Sequence, residues 1–206
     1  ETFIVYEDER LTFDETQRKV ARIANILVTQ YGVKKGDRVA ISMRNYPEWI
    51  MAFNAITSIG SIAVAMNSLW QSEEMEFGLR DSGSKVLFAD DERIRRLTPI
   101  NANLDIEVIA VRVEELPSGN FRHLDDLLSE ELGESLPHIE IAPGDPATIL
   151  YTSGSTGHPK GAVSSHLNIL SALMSWELEA KISLYMSGED PPDLPYQSAT
   201  LLAVPL

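Results

Sequence analysis

The chain reads as an α/β fold, a mostly parallel sheet flanked by helices on both faces. Two observations predict it. Runs such as "RVAISM", "SIAVAM", "KVLFAD" and "IEVIAV" are almost unbroken apolar segments of strand length, the pattern of strands covered on both sides. Before and between them lie stretches of helical character closed by Gly32, Gly60 or Gly83, and that βα alternation is the mark of a parallel sheet joined by crossover helices.

The elements follow in order. "FIVY" and "RLTF" flank the polar turn "EDE" and read as a hairpin. Thr12 with Glu15 three residues on is a capping-box pattern that opens a helix, in which Val20, Ile23, Ala24, Leu27 and Tyr31 share a face and which Gly32 stops. "RVAISM" is a strand, "PEWIMAFNAITSI" a helix with proline in its first turn, and "SIAVAM" a strand. Ser72 with Glu73 and Glu74 starts a helix that ends at Gly83; "KVLFAD", "DERIRRL" and "IEVIAV" continue as strand, short helix and strand.

From Glu114 to Gly144 the texture changes to acidic and proline-bearing, with one helix around "HLDDLLSEEL". Such a run reads as a peripheral, solvated connection rather than a recognition tail. Beyond it come "ATILY" as a strand, "GAVSSH" as a second strand, a helix from about Leu167 to Tyr185, the surface loop "SGEDPPDLPYQ", and "ATLLAVPL" as a strand.

Composition narrows the function. With 206 residues, 44% of them hydrophobic, the chain can bury a sizeable core. It has no cysteine, which excludes disulfides, thiolate metal sites and a cysteine nucleophile, and fits a cytoplasmic setting. A net charge of −14 opposes nucleic acid and anionic membrane as partners. The start lacks the layout of a signal peptide. The uncharged stretch Trp49 to Ser72 is long enough to span a bilayer, but its polar interruptions parse it as a helix ending at Gly60 and a buried strand, not an integral membrane segment.

Any anion must therefore be held locally, and one segment is built for that. In "ILYTSGSTGHPKGAVSSH", the residues Thr152, Ser153, Ser155 and Thr156 offer hydroxyls. Gly154 and Gly157 allow close backbone approach, and Lys160 adds a cation behind Pro159. A flexible Ser/Gly linker has a similar composition, yet this loop lies between two apolar strands. Counted from Gly154, the lysine falls where a nucleoside-triphosphatase P-loop needs it, but Pro159 and Gly161 occupy the positions of its second glycine and its hydroxyl. The following residues read as strand rather than helix. The loop is a phosphate cradle of another design.

"YTSGSTGHPKG" resembles the phosphate-binding signature of the adenylate-forming (AMP-binding) superfamily, which includes acyl-CoA synthetases, the adenylation domains of peptide synthetases and firefly-type luciferases. The segments "LTFDETQRKVARIANIL", "GVKKGDRVAISMRNYPEWIMAFNAITSIGSIAVAMNSLW" and "EEMEFGLRDSGSKVLFAD" are similar to that family's N-terminal region in the same order. Ser155 stands where threonine is more usual.

The resemblance implies that Ser153, Gly154, Ser155, Thr156 and Gly157 wrap the β- and γ-phosphates of ATP, with Lys160 supplying charge and Thr152 helping to hold Mg²⁺. The reaction it implies is attack of a carboxylate on the α-phosphate, giving an acyl-adenylate and pyrophosphate, then thioester formation with CoA. It makes the chain a partial N-terminal domain of such an enzyme. That domain divides into a first βα-rich part (1–113), the acidic connection (114–144) and a phosphate-loop part (145–206), with the family's catalytic lysine and C-terminal domain lying beyond Leu206. Partners are then ATP, a carboxylic acid and CoA, and a homodimer is open to it. "NSLW" and "RNYPEW" lean toward fatty or medium-chain acyl-CoA synthetases. An adenylation domain that loads a carrier protein, and a noncatalytic nucleotide-binding module, stay open beside that reading. Trp49, Trp70 and Trp176 read as packing residues, His166 as a cap or packed polar group, and His123 and His138 as solvated; His158 carries no assignment.

Overall fold

Thr12 and Glu15 decide where the first helix begins: the Thr12 hydroxyl accepts from the Glu15 amide at 3.2 Å and the Glu15 carboxylate accepts from the Thr12 amide at 2.8 Å. The computed structural model describes residues 1–152, 159–188, 197 and 199–202. Ahead of that cap, β1 (Thr2–Tyr6) and β2 (Glu9–Thr12) form the expected antiparallel hairpin. The chain then runs through α1 (Phe13–Thr29), β3 (Arg38–Ser42), α2 (Pro47–Ser58), β4 (Ile62–Ala65), α3 (Ser72–Ser82), β5 (Val86–Asp90) and α4 (Asp91–Leu97). After a 3₁₀ turn at Asn101–Asn103 come β6 (Glu107–Val111), β7 (Phe121–His123), α5 (Leu124–Ser129), β8 (Pro146–Thr152), β9 (Lys160–Ser165) and α6 (His166–Ser187).

The main sheet has seven strands in the order β7-β6-β5-β3-β4-β8-β9. All its pairings are parallel except β8 with β9. Strand residues alternate between two cores, as the pleat requires. Val39, Ile41, Val86 and Phe88 face the helices α1, α2 and α5, whereas Ala40, Leu87, Ala89 and Val108 face α3 and α4. Both faces are covered, as the apolar strand runs predicted. Each side chain buried as fully as Phe88 stabilises the fold by about 2 kcal/mol relative to exposure.

Gly60 takes φ +67° just after α2, and Gly83 takes φ +60° as the left-handed C-cap of α3, the backbone region in which glycine lacks the Cβ penalty. Among the described residues no helix is long and apolar enough to cross a membrane.

Helix α3 begins at Ser72 as expected. The residue that caps α3 is Gln71, whose backbone amide donates to Glu74 Oε2 at 2.9 Å, while the Ser72 hydroxyl donates to the Arg96 carbonyl at 2.7 Å. Three other expectations need correction. The acidic segment is more than a solvated connection, because it supplies the edge strand β7 and buries Phe121, Leu124 and Leu127. Of the strand read at Ala199 to Leu206, the described residues Ala199 to Leu202 are not in a strand and the remaining four lie outside the described residues. Trp70 is buried and Trp49 stacks on Phe53 at 5.4 Å, but Trp176 lies 66% exposed on α6.

Candidate functional site

The parallel strands β3, β4, β5, β6 and β8 all end on one edge of the sheet. Ligands of open α/β sheets bind outside such carboxyl ends. The side chains just past those ends fall into three groups.

The first is the stem of the glycine-rich loop. Thr152 and Lys160 are the last paired residues of β8 and β9, and both are exposed. The Thr152 hydroxyl lies 3.4 Å from the Lys160 carbonyl, a contact long enough for the hydroxyl to turn to a better acceptor. Ser153, Gly154, Ser155, Thr156, Gly157 and His158 lie outside the described residues. Of the seven expected binding positions, the structure therefore places two, side by side at the mouth of the loop.

One pair further down the stem, Tyr151 faces Gly161. The Tyr151 hydroxyl donates to Asp81 Oδ2 at 2.7 Å, with the Gly78 carbonyl 3.3 Å away. Its ring meets Trp70 edge-on, centroids 5.4 Å apart. Burial first, then the hydrogen bond and charge of Asp81, push the Tyr151 phenol well above its ordinary value, so it is a donor at all physiological pH.

The second group fastens the loop after β4. Asp90, at the end of β5, accepts from the Arg44 amide at 3.0 Å and from the Arg93 amide at 3.1 Å, and so caps α4. The Arg93 guanidinium pairs with Asp90 and also donates through Nε to the Ser68 carbonyl at 2.9 Å. Arg96 donates to the carbonyls of Ser68 and Trp70 at 3.0 and 2.9 Å. Two arginines of α4 thus hold the segment that carries Trp70.

The third group is centred on Arg112, just past β6. Its guanidinium binds both Glu9 oxygens at 2.7 and 2.9 Å and both Glu48 oxygens at 3.0 Å. It also lies 5.1 and 5.0 Å from the ring centres of Tyr6 and Tyr46. Arg112 takes φ +54° to do so, a strained conformation for a residue with a Cβ. The Arg112 hydrogen bond holds the Glu9 carboxyl below its ordinary value.

Charge pairing sorts the cations of this edge. Arg44 pairs with Glu92, Arg93 with Asp90, Arg96 with Glu92 and Arg112 with Glu9 and Glu48. Among the described residues Lys160 makes no ion pair, so its ammonium is the one at this edge available to an incoming anion. Among those residues there is also no cluster of three His, Asp or Glu side chains able to hold a metal ion.

Sequence reasoning located Thr152 and Lys160 but missed Tyr151, Asp81, Trp70 and the arginine clamp. The available signals were slight: an aromatic and a glycine bounding the loop motif, and Gly78 and Asp81 three apart on one helical face. His166 stands at the other end of β8 and β9. Ser165 is the cap of α6, and the buried His166 Nε2 has no hydrogen-bond partner among the described residues. It lines a cavity of about 340 Å³ with Thr57, Ser58, Ile141, Pro143 and Leu170. His123 is half-buried at the end of β7 and His138 is exposed.

Comparison with known proteins places this edge in context. Residues 1–206 match the family described as AMP-binding enzyme. The chain is 35% identical over 174 residues to the long-chain-fatty-acid–CoA ligase FadD13 of Mycobacterium tuberculosis, covering 82% of this chain and 32% of that protein. It is likewise 35% identical over 173 residues to the acetyl-coenzyme A synthetase of Pseudoalteromonas translucida, covering 76% of this chain and 26% of the relative. Among solved structures, the anthranilate CoA ligase AuaEII in complex with anthranoyl-AMP superposes with a TM-score of 0.75 at 27% identity, over 81% of this chain and 32% of that one. The chain spans about a third of the length of the curated relatives it matches.

Proposed function

The chain belongs to the AMP-binding enzyme family, and from that premise we propose that it forms the phosphate-binding part of an AMP-forming carboxylate–CoA ligase. One observation carries the proposal. Lys160, without an ion-pair partner among the described residues, stands beside the Thr152 hydroxyl at the carboxyl edge of the sheet, where every other named cation is occupied by a carboxylate.

The chemistry needs two anions brought together and a pyrophosphate neutralised as it departs, so positioning and electrostatic stabilisation dominate over acid or base catalysis. Lys160 supplies the fixed positive charge. Ser153, Gly154, Ser155, Thr156 and Gly157 are proposed as the hydroxyl and amide donors to the phosphate oxygens. Mg²⁺ takes few protein ligands when substrate phosphates supply the rest, which fits a site offering the Thr152 hydroxyl; when bound, the ion would screen the phosphate charge.

The reaction we propose is formation of an acyl-adenylate from ATP and a carboxylic acid, then transfer to CoA with release of AMP. Similarity to FadD13 supports a fatty acid as substrate, and the CoA ligases and synthetases among the relatives support CoA as acceptor over a carrier protein. We further propose that residues 1–113, 114–144 and 145–206 are successive parts of the family's large N-terminal domain, in a cytoplasmic enzyme to which a homodimer is open. The catalytic lysine is expected in the part of the relatives that this chain does not span.

The test is AMP release from ATP with Mg²⁺, CoA and a panel of carboxylic acids, in the 206-residue chain and in the enzyme at its relatives' length. Release from the longer form alone, dependent on both acid and CoA, is the expected result. Release that needs a carrier protein would favour the carrier-loading reading. No acid-dependent release from the longer form would overturn the proposal.

A further inference from the structure

We propose that Tyr151 is a positioning residue for ATP, fixing the stem from which the phosphate loop leaves the sheet; this rests on the function proposed above. Tyr151 and Gly161 are the outermost residues of the motif "YTSGSTGHPKG" and lie directly opposite each other across β8 and β9. Gly161 is required there by space. A Cβ on it would clash with Ile149 Cγ2 at 2.9 Å and meet the Tyr151 ring in ordinary contact at 3.5 Å, so a larger residue would force the β8 side of the stem that carries Tyr151 to shift.

That seat is built by α3 and the segment after β4. Asp81 takes the hydroxyl, and Trp70 abuts the ring. Trp70 in turn lies so close over Gly78 that a Cβ on Gly78 would approach it to 2.5 Å, while Arg96 holds the Trp70 carbonyl at 2.9 Å. Side chains alternate along a strand. With Tyr151 locked toward α3, the next residue, Thr152, is turned to the opposite side, and its partner Lys160 with it. The group that touches phosphate is Lys160; Tyr151 acts on it through the backbone of the stem. A small misplacement of such groups is costly in a site that works by alignment.

The experiment compares MgATP and AMP affinities, by equilibrium titration, with thermal stability for the chain and four variants. Tyr151→Phe and Asp81→Leu are each expected to weaken MgATP binding by about tenfold while leaving AMP affinity within about twofold, and the double variant to be no weaker than either single one. Asp81→Asn keeps an acceptor for the hydroxyl and is expected to rescue MgATP affinity. A purely structural role would lower the melting temperature and leave the affinity of the folded protein unchanged; that result overturns the inference. Equal losses for MgATP and AMP would overturn it too, because the effect would not be on the phosphates. A wild-type chain that binds no MgATP overturns the underlying functional reading, and with it this role for Tyr151, and is distinguished by appearing before any substitution is made.

Discussion

Arg93 Nη1 and Asp90 Oδ2 form a 3.1 Å ion pair in which the two side chains are only 3% and 4% exposed. Neither charge can be left alone in such a place. Asp90 is further satisfied by two amides and Arg93 by the Ser68 carbonyl, which joins β5, α4 and the segment after β4. Arg93→Met is therefore expected to destabilise the chain by about 3 kcal/mol in urea denaturation. Pairing it with Asp90→Asn should recover part of that loss, because the uncompensated charge is gone. A loss below about 1 kcal/mol would mean that the pair behaves as if exposed.

The Arg112 cluster joins the hairpin, α2 and the end of β6 through Glu9, Glu48, Tyr6 and Tyr46. Two carboxylates and two ring faces share one guanidinium. Arg112→Met is expected to cost about 2 kcal/mol at pH 7. The Glu9 carboxyl is held below its ordinary 4.5 in the folded chain. Its contribution is therefore complete above that value and is lost as pH falls through the lower, folded value. The stability gap between wild type and variant should narrow below about pH 4; a gap that is constant from pH 7 to pH 3 would contradict the ion-pair account.

Gly78 is buried beneath Trp70 and Met66, and an added Cβ would meet them at 2.5 and 2.9 Å. Gly78→Ala normally favours a helix by about 1 kcal/mol. Here crowding should win, with a net loss of about 1–2 kcal/mol and a change in near-ultraviolet circular dichroism as Trp70 moves. A variant more stable than wild type would show that the joint has slack.

The helix α6 carries apolar groups on every side, with Leu173, Met174, Trp176 and Ile182 all at least 50% exposed. A helix apolar all round normally belongs to an interior. The 206-residue chain is expected to bind an apolar dye and to self-associate. Replacing Met174 and Trp176 with glutamine should reduce both while leaving the sheet's stability within about 0.5 kcal/mol. Dye binding that does not change would place the exposed patch elsewhere.

Local features were legible in the sequence because both partners sit within a few residues. The Thr12–Glu15 box, the hairpin and the stops at Gly60 and Gly83 are of this kind. The start of α3 at Ser72 was legible from the acidic pair that follows it, whereas the bond of the Ser72 hydroxyl to Arg96, 24 positions on, was not. β7 was hidden because three residues in an acidic segment carry no periodicity, and its pairing depends on β6. The site divides the same way. Thr152 and Lys160 announce themselves by type and offset, whereas Tyr151 meets Asp81 across 70 positions of sequence, a contact that only the parallel crossover brings about.

The central claim is that Lys160 supplies the charge for a triphosphate. It is tested most directly by titrating the chain with MgATP, wild type against Lys160→Ala. The account predicts binding that requires Mg²⁺ and weakens at least tenfold in the variant, with no change in melting temperature because Lys160 is exposed and makes no ion pair among the described residues. Equal MgATP affinity in the two proteins would contradict it.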